Sequence, residues 1–207
     1  MKGASIFDVH AGSWDTAPRM SLAKAVFEAI CQRVAIDTSM KVLDFGAGTG
    51  LLSVAAGGCA GEVTAMDTSG KMLAVLDDKL RDREIRNIRT CHCDLVNETH
   101  LRGEYDLIIS SMTLHHVKDT ALLFARFHDV LKKGGEFAVA DLDAEDGMFH
   151  TDNTGVHHFG FSRDALFAAA ADAGFRNLRY EIVHRMEKKR RDGTVGDYRI
   201  FLFTGNT

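Results

Sequence analysis

The sequence predicts an α/β fold, with a seven-stranded sheet that is mostly parallel, holds one antiparallel strand and carries helices on both faces. Three features support this prediction. A short apolar run, 42–45, passes through a glycine-rich turn into a helical pattern. Strand-like and helix-like segments then alternate, as parallel strands require because each needs a crossover connection. The chain ends instead with two strand-like runs, 177–184 and 197–204, that are joined by a turn and must therefore pair antiparallel.

Length and composition indicate one domain. The chain has 207 residues, of which 45% are hydrophobic and 26% are charged, as in ordinary soluble domains. We expect residues 1–207 to form a single unit, with a helical lid segment over 1–36 and the core over 37–207.

Charge and cysteine content limit the partners and the compartment. A net charge of −4 does not favour nucleic acid as a partner. No apolar run reaches the length of a membrane span, and the start of the chain does not resemble a leader. The four cysteines suggest reduced thiols, so we expect a cytoplasmic protein without a membrane partner. The sequence leaves the oligomeric state open.

The turn after the first strand carries Gly46, Gly48 and Gly50, with Asp44 just before them. Two interpretations are open: a tight turn between core elements, or a backbone loop that approaches a nucleotide-like cofactor. A dinucleotide fingerprint places its third glycine one position later, where this chain has Leu51. Asp44 would repel a pyrophosphate but would suit a ligand with an amino group or a positive charge.

The second and third predicted strands, 62–67 and 87–95, also end in or near acids, Asp67 and Asp94. An acid at the carboxyl end of the second parallel strand can accept hydrogen bonds from both ribose hydroxyls of a nucleoside. The alternative is that Asp67 caps the following helix, a role that Ser69 could fill instead.

The fourth predicted strand, 105–109, leads to Ser110 and Ser111 and then to two adjacent histidines, His115 and His116. Ligands of open α/β sheets bind beyond the carboxyl ends of the strands, so all four side chains are site candidates. Because the histidines are adjacent, we expect at most one to face the site from a regular element. Such a histidine either braces the loop or contacts a substrate.

An irregular stretch, 142–160, follows a fifth strand that ends in Asp141. A loop of this length in a compact domain is either functional or solvated, so it could wall a pocket. The groups in or beside it that could exchange protons are Asp141, His150, His157 and His158.

The run Cys91-His92-Cys93 is the one place where we considered a metal site. It lacks the ligand spacing of zinc sites, and small cysteines pack well in cores. The sequence therefore predicts no metal.

Together these motifs resemble those of class I S-adenosylmethionine-dependent methyltransferases. The resemblance rests on D-x-G-x-G-x-G at 44–50, on Asp67-x-Ser69-x-x-Met72 and on Leu-His-His-Val at 114–117. It is strongest for the small-molecule type found in ubiquinone and menaquinone biosynthesis, and it implies a Rossmann-like fold. The cofactor contacts that it implies are Trp14, Asp44, Gly46, Ala47, Gly48, Gly50, Asp67, Thr68, Met72, Asp94, Leu95, Ser110 and Ser111. Trp14 enters as part of the covering segment, with simple packing as its alternative.

The activity implied is transfer of a methyl group from S-adenosyl-L-methionine to a small-molecule acceptor by in-line displacement. A base is needed only if the acceptor must lose a proton, and the candidates, unranked, are His115, His116, His157 and His158. Two alternatives stay open: a nicotinamide-dependent oxidoreductase, and a cofactor-binding protein without turnover.

Overall fold

A computed structural model of the chain describes residues 6–96 and 105–207. The strands are β1 (Lys41–Phe45), β2 (Glu62–Asp67), β3 (Ile88–His92), β4 (Tyr105–Ser111), β5 (Leu131–Leu142), β6 (Arg176–Lys189) and β7 (Val195–Asn206). The helices are α1 (Ile6–His10), α2 (Ala17–Arg33), α3 (Leu51–Gly57), α4 (Gly70–Asp82), α5 (Thr120–Val130) and α6 (Arg163–Asp172), with short 3₁₀ turns at Ala11–Ser13 and Leu114–His116. Within these described ranges, no helix has the length and apolar character that crossing a bilayer requires.

The seven strands form one sheet in the order β3-β2-β1-β4-β5-β7-β6. Strands β1 to β5 run parallel, and β7 pairs antiparallel with both β5 and β6. This confirms the predicted sheet with its single antiparallel strand. The chain moves outward from β1 in one direction and then returns to place β4 on its other side, so the carboxyl end of β1 is the switch point at which such sheets bind ligands.

Strand β1 is buried on both faces, and its successive residues contribute to different cores. Val42 packs in a core beneath helices α2, α3 and α4. Leu43 packs in a second core beneath α5 and α6. Because side chains alternate across a strand, an apolar run of this kind needs helices on both sides of the sheet. The glycine turn therefore begins from a rigid, fully enclosed strand.

The terminal hairpin is longer than the predicted 177–184 and 197–204. Pairing continues through the charged residues to Lys189 opposite Val195. The sequence predicts that the strand ends at His184, because the charged run that begins at Arg185 is typical of a turn. In the structure, exposed and half-buried residues alternate along β6, so the strand accommodates charge on its solvent side.

Phe124 on α5 provides a test of the second core. Its ring is fully buried and lies 5.4 Å from Phe137 and 5.9 Å from Phe203, centroid to centroid. We expect Phe124→Ala to lower the free energy of unfolding by about 3–5 kcal/mol, because it removes apolar contacts and leaves a cavity. Urea unfolding would measure this. Leu122→Ala is the control on the same helix, since Leu122 is 37% exposed. Equal losses in the two variants would contradict this account of the core.

Candidate functional site

The three glycines after β1 have different environments, although all have positive φ angles, of 71°, 55° and 80° for Gly46, Gly48 and Gly50. A Cβ atom at Gly46 would lie 2.2 Å from the Thr113 side chain, and one at Gly50 would lie 2.2 Å from the Leu76 side chain. At Gly48 the nearest atom is the Trp14 indole nitrogen, at 3.9 Å. Gly46 and Gly50 thus permit close packing, whereas Gly48 keeps open space above the backbone. The packing interpretation therefore holds for Gly46 and Gly50, and the approach of a cofactor to the backbone stays a prediction for Gly48.

Backbone hydrogen bonds hold this turn against the end of β2. The amides of Gly46 and Ala47 both donate to the Met66 carbonyl oxygen at 2.9 Å. The next amide, that of Gly48, donates to the Asp67 carboxylate at 2.7 Å. The glycine turn and the acid that ends β2 are therefore one hydrogen-bonded unit.

Asp67 does not cap helix α4. Ser69 does so, because its hydroxyl oxygen accepts from the Met72 amide at 3.2 Å. The two carboxylate oxygens of Asp67 accept instead from the amides of Gly48 and Ser69, at 2.7 and 2.8 Å. Burial raises the pKa of Asp67 above its ordinary value, while these amides act in the opposite direction. The residue that caps α4 is therefore Ser69 and not Asp67. The role of Asp67 as a cofactor ligand stays a prediction.

Asp44 is a buried carboxyl, 1% exposed, at the end of β1. The Ser53 hydroxyl donates to it at 2.5 Å. Burial, partly offset by this hydrogen bond and assisted by the charge of Asp67, raises the pKa of Asp44 to about 7. Strands β1 and β2 pair in parallel with Phe45 opposite Met66, so Asp44 and Asp67 both lie at the carboxyl edge of the sheet.

The other predicted cofactor contacts surround this region in different ways. The Cys93 amide donates to the Asp67 carbonyl oxygen at 3.2 Å and brings Asp94 and Leu95 to the same edge. Leu95 and Met72 are both buried at 1% exposure, and Thr68 is exposed. Ser110 is buried and its hydroxyl donates to the Phe45 carbonyl oxygen at 2.7 Å, while Ser111 is half-buried at the end of β4. The assignment of these residues as cofactor contacts remains a prediction.

The N-terminal segment lies across the glycine turn. The Thr49 hydroxyl donates to Asp15 at 2.5 Å, and Lys79 forms an ion pair with the same carboxylate. The Ser69 hydroxyl donates to Asp8 at 2.6 Å. These bonds hold Trp14 above Gly48, where a lid segment is expected to lie.

Histidines from two separate stretches meet at the same edge of the sheet. His115 and His116 lie in the 3₁₀ turn after β4, with ring centroids 4.1 Å apart. The ring of His150, from the long loop after β5, lies 5.0 Å from His115 and 5.7 Å from His116. Which of the adjacent histidines faces a bound substrate stays a prediction. The tight turn is not a regular helix, and it lets both rings reach one point.

Asp141 orients the first of these histidines. Its carboxylate lies 2.7 Å from Nδ1 of His115 and also accepts from the His115 amide at 3.2 Å. Burial, with a contribution from the charge of His115, lowers the pKa of His116 to about 4 and that of His150 to about 3. Both rings are thus neutral near pH 7.

His157 and His158 contact the histidine turn through their backbone amides. Both amides donate to the His115 carbonyl oxygen, at 2.9 and 3.2 Å. The His157 ring is exposed, and Nε2 of His158 lies 2.9 Å from the Val117 carbonyl oxygen. Their assignment as base candidates remains a prediction. The base candidates left out His150, whose proximity to His115 depends on how the loop folds back and has no local pattern.

Known proteins share this architecture. A family model described as a methyltransferase domain matches residues 42–135. An uncharacterized methyltransferase of Schizosaccharomyces pombe is 28% identical in an alignment that covers 68% of this chain and 55% of the relative. A demethylmenaquinone methyltransferase of a Geobacillus species is 28% identical over 53% of this chain and 48% of its own length. The chain spans about half the length of the curated relatives it matches.

A solved structure shares the fold across the whole chain. Haemonchus contortus phosphoethanolamine N-methyltransferase 2, in complex with S-adenosyl-L-methionine, superposes with a TM-score of 0.74. It is 18% identical, and the match covers 100% of this chain and 61% of that one.

The raised pKa of Asp44 predicts how the stability of the protein changes with pH. Because this pKa is raised from 3.8 to about 7 on folding, the folded state holds the proton more tightly, and stability falls as the pH rises through this interval. Asp44→Asn cannot ionise, so we expect it to be more stable than the parent at pH 8, by up to about 4 kcal/mol. The gain should shrink toward pH 4.

Thermal unfolding followed by circular dichroism between pH 4 and pH 8 would measure this difference. Asp82→Asn, at the exposed end of α4, is the control for loss of one negative charge. If the parent is instead the more stable protein at pH 8, the ionised form of Asp44 is the one that folding favours.

Proposed function

We propose that the chain is a class I S-adenosylmethionine-dependent methyltransferase, and that it transfers the methyl group of this cofactor to a small-molecule acceptor by in-line displacement. The observation that carries the proposal is the hydrogen bond from the Gly48 amide to Asp67, at 2.7 Å. It joins the open glycine position and the ribose-binding acid in one unit, at the switch point of the sheet.

The residues at this unit suit the cofactor. Asp44 and Asp67 place two carboxyl groups where a ligand with ammonium and sulfonium charges would lower the cost of their burial. Asp67 has lone pairs left over from its two backbone hydrogen bonds, and these can accept from ribose hydroxyls. Gly48 leaves room for an approach to the backbone. When bound, S-adenosylmethionine supplies a methyl group already activated by its positive sulfur.

The contribution of the chain is therefore to position the reactants and to exclude water. We assign the exclusion of water to the N-terminal segment, which Asp8 and Asp15 attach to Ser69 and Thr49. Phe7 in this segment contacts both Trp14 and His116, with ring centroids 5.8 and 5.0 Å away. The segment thus spans from the cofactor side to the histidine side.

The acceptor side is the wall formed by His115, His116 and His150. It lies next to the glycine turn, because Thr113, two residues before His115, packs against Gly46. Aromatic and imidazole groups of this kind form small pockets for uncharged or weakly charged molecules. The weak negative charge of the chain also favours a small molecule over nucleic acid.

Gly48 and Gly134 form a matched pair that tests the cofactor site. Both have positive φ, of 55° and 78°, and a Cβ at either position meets nothing closer than 3.9 Å. Alanine should therefore cost a similar 1–2 kcal/mol or so of stability at each position. We expect Gly48→Ala to weaken binding of S-adenosylmethionine at least about tenfold, since it fills the space beside the ligand. Gly134→Ala should bind as the parent does.

Isothermal titration calorimetry would measure both affinities, with Asp67→Asn as a second site variant. Asp67→Asn should also weaken binding, because it exchanges a charged acceptor for a neutral amide. Parent-like affinity in both Gly48→Ala and Asp67→Asn would place the cofactor elsewhere.

Turnover separates a methyltransferase from a protein that only binds the cofactor. We expect release of S-adenosylhomocysteine when the protein is incubated with S-adenosylmethionine and a panel of small phenols, quinols, amines and thiols, measured by mass spectrometry. A variant that lacks the Asp67 carboxylate should lose this activity. Tight cofactor binding with no product from any acceptor class would favour the binding protein instead.

A further inference from the structure

We propose that His115, His116 and His150 bind one divalent transition-metal ion, with Zn²⁺ as the most suitable. Each residue offers one ring nitrogen, and these three atoms all lie within 4.8 Å of one another. The proposal concerns metal binding itself and does not depend on the methyl acceptor. It also departs from the sequence prediction, which considered only the run at Cys91-His92-Cys93.

The first argument is that buried ring nitrogens lack partners. Nε2 of His115 and Nε2 of His150 are both buried, and neither has a hydrogen-bond partner among the residues that the structure describes. A buried polar atom without a partner costs about 1–3 kcal/mol. Two such atoms in one cluster are best explained by a ligand that both of them contact.

The second argument is that the opposite ring nitrogens are already fixed. Nδ1 of His115 lies 2.7 Å from the Asp141 carboxylate, and Nδ1 of His116 lies 2.8 Å from the Gly155 carbonyl oxygen. Both oxygens only accept hydrogen bonds, so each Nδ1 must carry the proton. The lone pair of each ring is then on Nε2 and points away from these partners. Histidine ligands of metals are commonly oriented in this way by a carboxylate or a carbonyl group.

The Asp141 carboxylate also supplies charge. It is fully buried and accepts three hydrogen bonds, from Nδ1 and the backbone amide of His115 and from the amide of Leu142 at 2.7 Å. A negative charge one imidazole ring away raises the basicity of His115 as a ligand. It would also offset part of the positive charge of the ion. This matters because Lys188, a cation that lies over the Phe149 ring beside His150, opposes the binding of a second positive charge.

The separation of the nitrogens is close to what zinc needs. A tetrahedral ion with bonds of about 2.1 Å holds its nitrogens about 3.4 Å apart, so the cluster must contract by about 1.4 Å at its widest. His150 belongs to an irregular loop and His116 is only half-buried, so small rotations of these two rings can supply the change. His115 can remain where Asp141 holds it.

A site with three imidazole ligands favours transition-metal ions over Mg²⁺. Imidazole nitrogen suits Zn²⁺ and similar transition metals, whereas Mg²⁺ prefers oxygen ligands. Three protein ligands leave a position open for water or for an oxygen, nitrogen or sulfur atom of a small molecule. The ion would also join the turn after β4 to the loop after β5.

Zinc binding to the protein after treatment with a chelator is the direct test. We expect titration calorimetry with ZnCl₂ to show saturable binding of about one ion per chain, with no comparable heat from MgCl₂. Binding should raise the melting temperature, because a ligand of the folded state stabilises it. Co²⁺ in place of zinc should give the visible absorption of a tetrahedral site.

Variants locate the ion. Asp141→Asn should weaken zinc binding about 10- to 100-fold, and His116→Ala and His150→Ala should weaken it more, since each removes a ligand. His157→Ala is the matched control: its ring is exposed nearby, and only its backbone amide contacts His115. It should bind zinc as the parent does.

All titrations use a background in which Cys31, Cys59, Cys91 and Cys93 are replaced by serine, so that thiols cannot account for the binding. The melting temperature of each variant without metal checks that the fold persists. If His116→Ala or His150→Ala loses the fold, the Co²⁺ spectrum of the background protein decides: histidine-only coordination supports the proposal, and its absence overturns it. Absence of stoichiometric zinc binding, or parent-like binding in both folded histidine variants, would likewise overturn it and leave a bridging water as the partner of the buried nitrogens.

Discussion

The cost of burying carboxyl groups at the ends of neighbouring strands is the constraint on which the rest of the site depends. Asp44 and Asp67 are both removed from water, and the charge of Asp67 adds to the cost of ionising Asp44. The chain offsets part of this cost with the Ser53 hydroxyl at Asp44 and with the backbone amides of Gly48 and Ser69 at Asp67. A positively charged ligand would recover much of the remainder. Binding and stability are therefore linked at this position.

The parts of the fold that depend on local patterns could be predicted from the sequence. The apolar run of β1 and the glycines after it specify a buried strand and a turn with positive φ. The terminal hairpin followed from two strand-like runs with no helix between them. The sequence predicts a shorter hairpin, because a charged run is typical of a turn, whereas an edge strand can carry charge on its solvent side.

The histidine cluster shows why the rest of the site was harder to predict. His115 and His116 were found because they follow a strand, but their geometry came from a 3₁₀ turn that has no clear sequence pattern. His150 reaches them from an irregular loop, and its position depends on where that loop packs. Asp141 was noted as a proton-exchanging group, yet its pairing with His115 requires β4 and β5 to be neighbours in space. Contacts between distant segments are fixed by topology and not by spacing.

The loop after β5 and the histidine turn stabilise each other. The amides of His157 and His158 donate to the His115 carbonyl oxygen, and His116 bonds back to the Gly155 carbonyl oxygen. These bonds satisfy polar groups that an irregular loop would otherwise leave to solvent. The base candidates His157 and His158 thus contribute to the shape of the site through their main chain, whatever their side chains do.

The charged residues of β6 have a consequence for the solubility of the protein. This strand forms one edge of the sheet, and its outer side presents backbone groups that could pair with a strand of another molecule. Strand β6 contains Arg185, Lys188 and Lys189, and register shifts interrupt its pairing with β7. Charge and irregularity make this edge a poor template for a foreign strand. The opposite edge, β3, has only five residues, so both borders of the sheet resist growth into aggregates.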